Sequence, residues 1–494
     1  MAGGKKMPVL QMLGDFADNT SAHGVRKLHE KSHWLFKVIW LLLLLTATGN
    51  VFMQVWHLIN QFERRPVTIK TTIHSRSLKF PTVTLCNLNP FKYSEIQKEE
   101  FPMETLRQIS GILNISLEQF GGATQTGQAP VDTETRNITQ DAYYSDDTGG
   151  EFSVSQFLTE APDQFRTDTL LTLTETSEIQ RLAQPMSELL VSCFFAGSPC
   201  RHNEFSWFYD LDYMNCFQFP RDNSTRSREV YSAGQVFGLS LILNVDQKEY
   251  VPFVTPSAGI RVAIHEYGSS PNLMQKGLTA PPGFETSIGI RPVIRIHQPH
   301  PYGNCETDNP YGDIQTCERR CLEDLIEIEC ECSRRINNPN NITYVCSAAQ
   351  GGCIKTVIKQ MQKGNLTCST CRISCREHGY IQRVSMATWP ADHYDMALKT
   401  VINKEKSLGD IDTRKNLVSL NIFFSELIEE VVQEEPAYMW ENLQSDIGGQ
   451  LGLWLGISVL SLCEVVELFL KMIGTCCKST TDNKITHVAP MNEK

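Results

Sequence analysis

The chain has 494 residues, 56 acidic side chains against 45 basic ones and a formal net charge of −11. That balance argues against nucleic acid, which is bound through an excess of Lys and Arg. No G-x-S-x-G, H-E-x-x-H or catalytic-cysteine signature occurs, so a hydrolase is not indicated and the chain reads as no enzyme.

Residues 1–37 read as a cytosolic N-terminal segment. Val38–Phe62 follows without a charge until Glu63. At a rise of 1.5 Å per residue it can cross a hydrocarbon core of about 30 Å. It starts well inside the chain and lacks a small-residue cleavage site, so it reads as a retained anchor rather than a signal peptide. Lys27, Lys31 and Lys37 flank its N-terminal side and place that side in the cytosol. Residues 63–436 then lie outside the cell. Within them, Phe80–Asn87 is a β-branched strand pattern ending in a turn, and Gly238–Asp246 alternates as a strand. Residues 120–165, rich in Thr, Gln, Asp and Gly, read as a polar insertion, and Leu420–Phe424 as a further strand. Of the 17 cysteines, all but Cys463, Cys476 and Cys477 fall in this region, an even number in a compartment where disulfides persist. The C-x-C at Cys330 and Cys332 has no converging His/Cys set, so disulfides are expected and a metal is not. The sequence alone leaves their pairing open. Asn114, Asn137, Asn223, Asn341 and Asn365 open N-x-S/T sequons in the same region, whereas the sequon at Asn19 faces the cytosol.

A second apolar span covers residues 437–474, followed by a cytosolic tail at 475–494, with Lys471 and Lys478 near the exit. Its stretch Ser445–Glu467 is apolar enough for a membrane, yet Gly448, Gly449, Gly452, Gly456 and the nearby Gly474 weaken it as a helix, each by about 1 kcal/mol relative to Ala. Asp446, Glu464 and Glu467 sit at its ends, and ionisable groups at that depth face water, an ion or a partner chain. Glu426, Glu429, Glu430, Glu434 and Glu435 cluster just before it. Such a cluster is either a solvated linker or, around a pore mouth, a concentrator of cations.

The run D-I-G-G-Q-x-G-L-W-x-G-x-S from Asp446 resembles the pore helix of the epithelial sodium channel/degenerin/acid-sensing superfamily, closest in feel to the invertebrate peptide-gated (FMRFamide-type) sodium channels. The resemblance implies two transmembrane helices and a large disulfide-rich α+β extracellular domain of palm, β-ball, knuckle, finger (about 91–200) and thumb (about 302–375), assembled as a homotrimer or as a heterotrimer with related subunits. It implies a selectivity filter at Gly456, Ile457 and Ser458, although relatives usually carry Ala or Ser at the middle position. Ser445 matches the small-residue degenerin position, Asp446 the outer-mouth acid, and Glu464 an inner acid. His23 and Gly24 match a cytosolic His-Gly gating motif. Phe80–Asn87 matches the first palm strand, Gly238–Asp246 a β-ball strand and Leu420–Phe424 the last palm strand before the pore. The implied pairs are Cys86–Cys216, Cys193–Cys200, Cys305–Cys375, Cys317–Cys371, Cys321–Cys368, Cys330–Cys353 and Cys332–Cys346, with the thumb cysteines stapling two antiparallel helices. Tyr302 matches a thumb-base aromatic, and Arg64 stands where relatives carry its aromatic partner. Sodium ions, amiloride-type blockers and plasma-membrane lipid are the implied partners, with no cofactor.

Three triggers fit such a channel. For proton gating, relatives place His-His before V-T and two Asp in the thumb; here Arg65-Pro66 precede Val67-Thr68, and Lys355 and Lys359 occupy the thumb positions. Two lysines cannot raise one another into the neutral range as paired carboxylates do. For protease-tuned constitutive conduction, Arg107, Arg136 and Arg166 are scattered without a dibasic run, and Lys478–Lys494 lacks P-P-x-Y. A secreted neuropeptide is therefore the expected agonist. A non-conducting two-pass receptor would explain the cysteines and sequons but not the glycine-broken, acid-flanked second span. If Ser445 crowds its counterparts at a closed constriction, Ser445→Phe should disfavour closure by about 1–3 kcal/mol through overpacking. The expected outcome is standing current without agonist; silent channels at the cell surface would move the constriction elsewhere.

Overall fold

The computed structural model describes residues 8–21, 24–99, 115–120, 176–221, 228–307, 313–334, 350–406 and 411–485, together with 103, 106, 107, 110 and 346. The chain divides into two compact units. One comprises residues 1–69, 300–302 and 434–494, and the other residues 70–299 and 303–433.

The second unit is built on two sheets. The larger has eight strands in the order β1-β15-β12-β14-β9-β4-β5, with β13 also paired to β12. Its members are β1 (Val67–Ser75), β4 (Leu190–Phe195), β5 (Ser198–Pro199), β9 (Leu239–Asn244), β12 (Phe284–Ile296), β13 (Arg376–Thr388), β14 (Leu417–Phe424) and β15 (Ile428–Pro436). The smaller runs β11-β10-β3-β7-β6, from β3 (Thr82–Asn87), β6 (Ser206–Asp210), β7 (Met214–Phe219), β10 (Ile260–His265) and β11 (Leu278–Ala280). A two-stranded ribbon joins β2 (Leu78–Lys79) to β8 (Glu229–Val230). The 13-residue β12 is the spine: β13 runs antiparallel along all of it, while β14 and β15 pair parallel to its two halves.

The core fills the space between the sheets. Val83, Leu85, Phe217, Phe219, Ile260 and Val262 from the smaller sheet share one buried cluster with Leu241, Ile288, Ile290, Leu420 and Ile422 from the larger. Phe80 packs edge-on against Phe195 and Phe424, with ring centroids 5.0 and 5.9 Å away. Such pairs add to simple area burial because the positive ring edge meets a negative ring face. A second cluster gathers Phe91, Tyr93, Ile96, Leu106, Ile179 and Leu182 with Met214, Val251 and Val254.

Residues 82–87, expected as the first palm strand, lie in the smaller sheet. Residues 239–244, expected in the β-ball, lie beside β14. All six residues of 82–87 are buried, whereas 239–244 largely alternates; a strand pattern alone does not say which sheet receives it. Nor is 420–424 the last strand, since β15 follows it. The expected finger boundary at 200 falls just past β4 and β5, strands of the larger sheet. The polar insertion at 120–165 lies outside the described residues but for its first, as do Asn114, Asn137, Asn223 and Asn341; Asn365 is exposed.

Among the described residues there are seven disulfides, and they are the pairs the resemblance implies: Cys86–Cys216, Cys193–Cys200, Cys305–Cys375, Cys317–Cys371, Cys321–Cys368, Cys330–Cys353 and Cys332–Cys346. The thumb differs in one respect. Cys317, Cys321 and Cys330 lie on a helix, Ile314–Cys330, capped by Asp313, whose carboxylate accepts the Thr316 N–H at 2.7 Å. A second helix, Gly351–Gln362, holds Cys353. Cys368, Cys371 and Cys375, however, lie on no helix, because Gly364 at φ +74° ends the second helix before them. Cys317–Cys371 and Cys321–Cys368 therefore join the first helix to an extended strap, while Cys330–Cys353 joins the two helices. Arg319 ties that first helix to the β6–β7 turn through Asp210 at 3.3 Å and Asp212 at 2.7 Å.

Gly238 is where backbone meets backbone most closely beside β14. A Cβ there would stand 2.2 Å from the Ile422 carbonyl oxygen and 2.6 Å from the Phe423 Cβ. Gly238→Ala should cost at least about 1–3 kcal/mol, as overpacked sites do. Thermal unfolding of the purified protein should register it as a lowered Tm, whereas Gly351→Ala, helical and with nothing within 4 Å, should not lower Tm.

Candidate pore site

The first unit is helical: α1 (Pro8–Asn19), α2 (Trp34–Glu63), α3 (Trp440–Leu455) and α4 (Val459–Ile485). Among the described residues α2 alone is long and apolar enough to cross a membrane unbroken; α3 with the first part of α4 passes the same test only as a bent pair. Leu42, Phe52, Met53, Leu453, Val459 and Leu460 are all more than half exposed, which suits immersion in hydrocarbon.

α3 packs along α2. Phe62 and Trp440 meet edge-on at 6.1 Å, and the Trp454 indole N–H donates to Gln54 Oε1 at 3.2 Å. The helix runs unbroken through Gly448, Gly449 and Gly452, so three of the glycines expected to weaken it do not interrupt it. They leave a bare stripe: no atom lies within 4 Å of a Cβ built at any of them. Ser445 is exposed and precedes that stripe on the same helix.

The interruption falls at Gly456, which stands at φ +64°. The Gly456 N–H donates to the Gly452 carbonyl at 3.1 Å and the Ile457 N–H to the Leu451 carbonyl at 3.3 Å, the paired bonds of a left-handed helix stop. A helix ending there releases its terminal carbonyls from intrahelical bonding. Ser458 starts α4: its hydroxyl accepts the Ser461 N–H at 3.3 Å, and its own N–H donates to the Ser461 hydroxyl at 3.0 Å. Across Gly456, Ile457 and Ser458 the axis turns by 79°. The three residues expected to form a filter thus form the kink of the second apolar span.

On one side of this kink Asp446 accepts a hydrogen bond from the Tyr438 hydroxyl at 2.7 Å, and the Tyr302 hydroxyl donates to the Tyr438 carbonyl at 3.2 Å. The guanidinium expected over Tyr302 is not that of Arg64. Arg64 closes α2, its N–H donating to the Asn60 carbonyl at 3.2 Å. Arg65, in the left-handed region at φ +48°, swings its guanidinium to 4.1 Å from the Phe62 ring centre and 5.5 Å from that of Tyr302. Arg65 was missed because its role depends on where α2 ends, and Tyr438 because its contacts with Asp446 and Tyr302 form only in the folded chain.

On the other side Glu464 is committed within its own chain. It accepts hydrogen bonds from the Thr20 hydroxyl and the Ser21 N–H, both at 3.1 Å, while the Ser21 and Ser461 hydroxyls meet at 2.6 Å. Gly24 adopts φ +84° with Leu44 close against it, a conformation that favours glycine; His23 lies outside the described residues. Of the clustered acids, Glu429 pairs with Arg76, and Glu430 with Arg291 at 3.4 Å, so part of the expected negative field is cancelled. Lys355 and Lys359 are both exposed on the second thumb helix. Among the described residues no three His, Cys, Asp or Glu are grouped to hold a metal ion.

Residues 16–468 match the sequence model of the family described as amiloride-sensitive sodium channel. The beta subunit of the epithelial sodium channel of Bos taurus is 26% identical over 527 residues, covering 94% of this chain and 82% of the relative. The alpha subunit of Neoceratodus forsteri is 24% identical, covering 96% and 82%, and the gamma subunit of Bos taurus 26%, covering 91% and 80%. All three are epithelial subunits by name, which lends no support to an expected peptide-gated channel.

If the Arg65–Tyr302–Tyr438–Asp446 contacts bias opening, Arg65→Gln and Tyr302→Ala should each lower current per surface channel by about 2–30-fold, the equivalent of a cation–π contact of roughly 0.5–2 kcal/mol. Arg64→Gln should leave it unchanged. Surface biotinylation with whole-cell recording makes the comparison; equal effects at Arg64 and Arg65 would remove this contact from gating.

Proposed function

This chain belongs to the amiloride-sensitive sodium channel family, and from that premise we propose that it is a pore-forming subunit of a sodium-selective plasma-membrane channel. The observation that carries the reading is the 79° turn at Gly456–Ser458 inside an otherwise apolar helix. Non-helical backbone at membrane depth survives only where it is buried in protein or lines an aqueous path. One chain with two apolar spans cannot enclose a pore, so three copies, or this chain with related subunits, surround the axis. The relatives' alpha, beta and gamma names accord with mixed assembly. The bare stripe at Gly448, Gly449 and Gly452 lets neighbouring helices approach closely.

In this assembly carbonyls released at Gly456 and the hydroxyl of Ser458 replace part of the water around a passing sodium ion, and Asp446 draws cations to the outer mouth. Amiloride-type cations lodge above the same ring. Both termini are cytosolic, and residues 63–436 face outward. Opening follows an extracellular stimulus: a secreted peptide is the specific reading, with constitutive epithelial-type conduction as the alternative that the relatives favour. Proton gating is disfavoured by Lys355 and Lys359, and His265, pushed down to about 4 by burial, stays uncharged across the neutral range.

The filter is tested by Gly456→Ala and Ser458→Ala. At least one should shift the sodium/potassium reversal potential; a tenfold loss of preference corresponds to about 1.4 kcal/mol. Measurable current with unaltered ion preference in both would place the filter elsewhere. Absence of current from the wild-type chain at the surface, alone and with epithelial subunits, would favour a non-conducting receptor.

A further inference from the structure

Two stretches of the first unit that lie far apart in the chain meet on one carboxylate. Residues 20 and 21 follow α1 outside any helix. Glu464 Oε2 accepts the Thr20 hydroxyl and the Ser21 N–H, both at 3.1 Å, and the Ser21 hydroxyl donates to the same oxygen at 3.4 Å. The Ser21 hydroxyl also meets that of Ser461 at 2.6 Å, and Ser461 is buried. Ser461 in turn accepts the Ser458 N–H at 3.0 Å, so one hydroxyl links residue 21 to the start of α4. Among Thr20, Ser21, Ser461 and Glu464, Ser21 alone is exposed.

The surroundings of this clip are acidic. Glu464 lines a cavity of about 240 Å3 between α1 and α4 together with Asp15 and Glu467. The cavity's one cation among the described residues, Lys471, is already paired with Glu467 at 2.6 Å. A phosphoseryl group carries about −1.5 to −2 charges at pH 7. Opposite an arginine cluster such a group docks, whereas beside carboxylates it repels. We infer that Ser21 is a phosphorylation site for a cytosolic serine/threonine kinase, and that its phosphate unclips the N-terminal segment from α4. In the transfer Ser21 Oγ forms a bond to the γ-phosphorus of ATP, the bond from that phosphorus to the β–γ bridging oxygen breaks, ADP leaves and the hydroxyl proton passes to the kinase's base. The product loses the hydroxyl proton that Ser21 offers to Glu464 and sets like charges side by side. Ser461 then loses its tie to residue 21, and the first turn of α4 is held less firmly. The inference rests on the proposed cytosolic placement of the N-terminus and is independent of ion conduction.

The test uses the full chain with phosphoserine incorporated at position 21 during translation, purified in lipid nanodiscs and followed by amide hydrogen exchange, so that no current is needed. Residues 16–21 should exchange about tenfold faster than in the unmodified chain, and residues 458–462 about threefold faster. Ser21→Ala, which removes the hydroxyl without adding charge, should raise exchange by less than about threefold, and Glu464→Gln in the phosphorylated chain should recover much of the loss. Should the phosphoserine chain fail to fold, Ser21→Asp carries a single charge and should raise exchange of residues 16–21 about threefold more than Ser21→Asn. In cells treated with a phosphatase inhibitor, mass spectrometry should find phosphate on residue 21, lost in Ser21→Ala and kept in Thr20→Ala. An unphosphorylated Ser21 under those conditions overturns the modification site. Unchanged exchange in the phosphoserine chain, an equal rise in Ser21→Ala, or no recovery with Glu464→Gln overturns the release by repulsion. An N-terminal tag that stains without permeabilisation overturns the inference through its cytosolic premise, a failure that the exchange experiment on the purified chain does not share.

Discussion

A helix that turns through 79° must give up backbone hydrogen bonds at the turn, and inside a membrane no water replaces them. Much of the first unit reads as a response to that constraint. Gly456 takes the left-handed conformation that lets two N–H groups reach back to Gly452 and Leu451. Ser458 and Ser461 exchange hydrogen bonds to start the next helix, and the Ser461 hydroxyl is met by Ser21 from the N-terminal segment. The carbonyls left without intrahelical partners lie at the kink.

The second unit answers a different demand: holding shape outside the membrane. Its central core joins both sheets through Phe80, Phe195, Phe219 and Phe424, and β12 pairs with three other strands. The thumb has only a small apolar cluster around Ile326, Ile354 and Val357, and disulfides concentrate there. Covalent links restrict the unfolded chain where burial is insufficient. Arg319, shared between Asp210 and Asp212, fixes the thumb helix to the β6–β7 turn with a half-buried, two-carboxylate pairing that is stronger than an exposed single pair.

Charge is distributed against the simplest expectation. Glu429, Glu430 and Glu464 look in sequence like free carboxylates near a cation path, yet each has a partner, in Arg76, Arg291 and the Thr20–Ser21 segment. Asp446 keeps its carboxylate exposed while Tyr438 holds one oxygen. Of these acids it is the one best suited to attract cations.

Features written in local sequence were legible without coordinates. The uncharged run at Val38–Phe62, the β-branched run at 82–87 and the alternation of 239–244 depend on neighbours in the chain, and a helix and two strands appear there; which of the glycines breaks the second span was named only by the family resemblance. Cysteine number pointed to disulfides, but spacing left their partners open, and only the family resemblance named them. Tertiary structure alone decided which sheet receives each strand, because the pairing partners lie far away in the chain. It decided that Cys368, Cys371 and Cys375 lie on a strap, since their spacing suits a helix that Gly364 forbids. It also decided that Arg65 rather than Arg64 faces Tyr302: a one-residue difference in where α2 stops rotates the next side chain to another side of the axis. The partners of Glu464 are more than 440 positions away, and such a pairing arises only when the folded chain brings its two ends together.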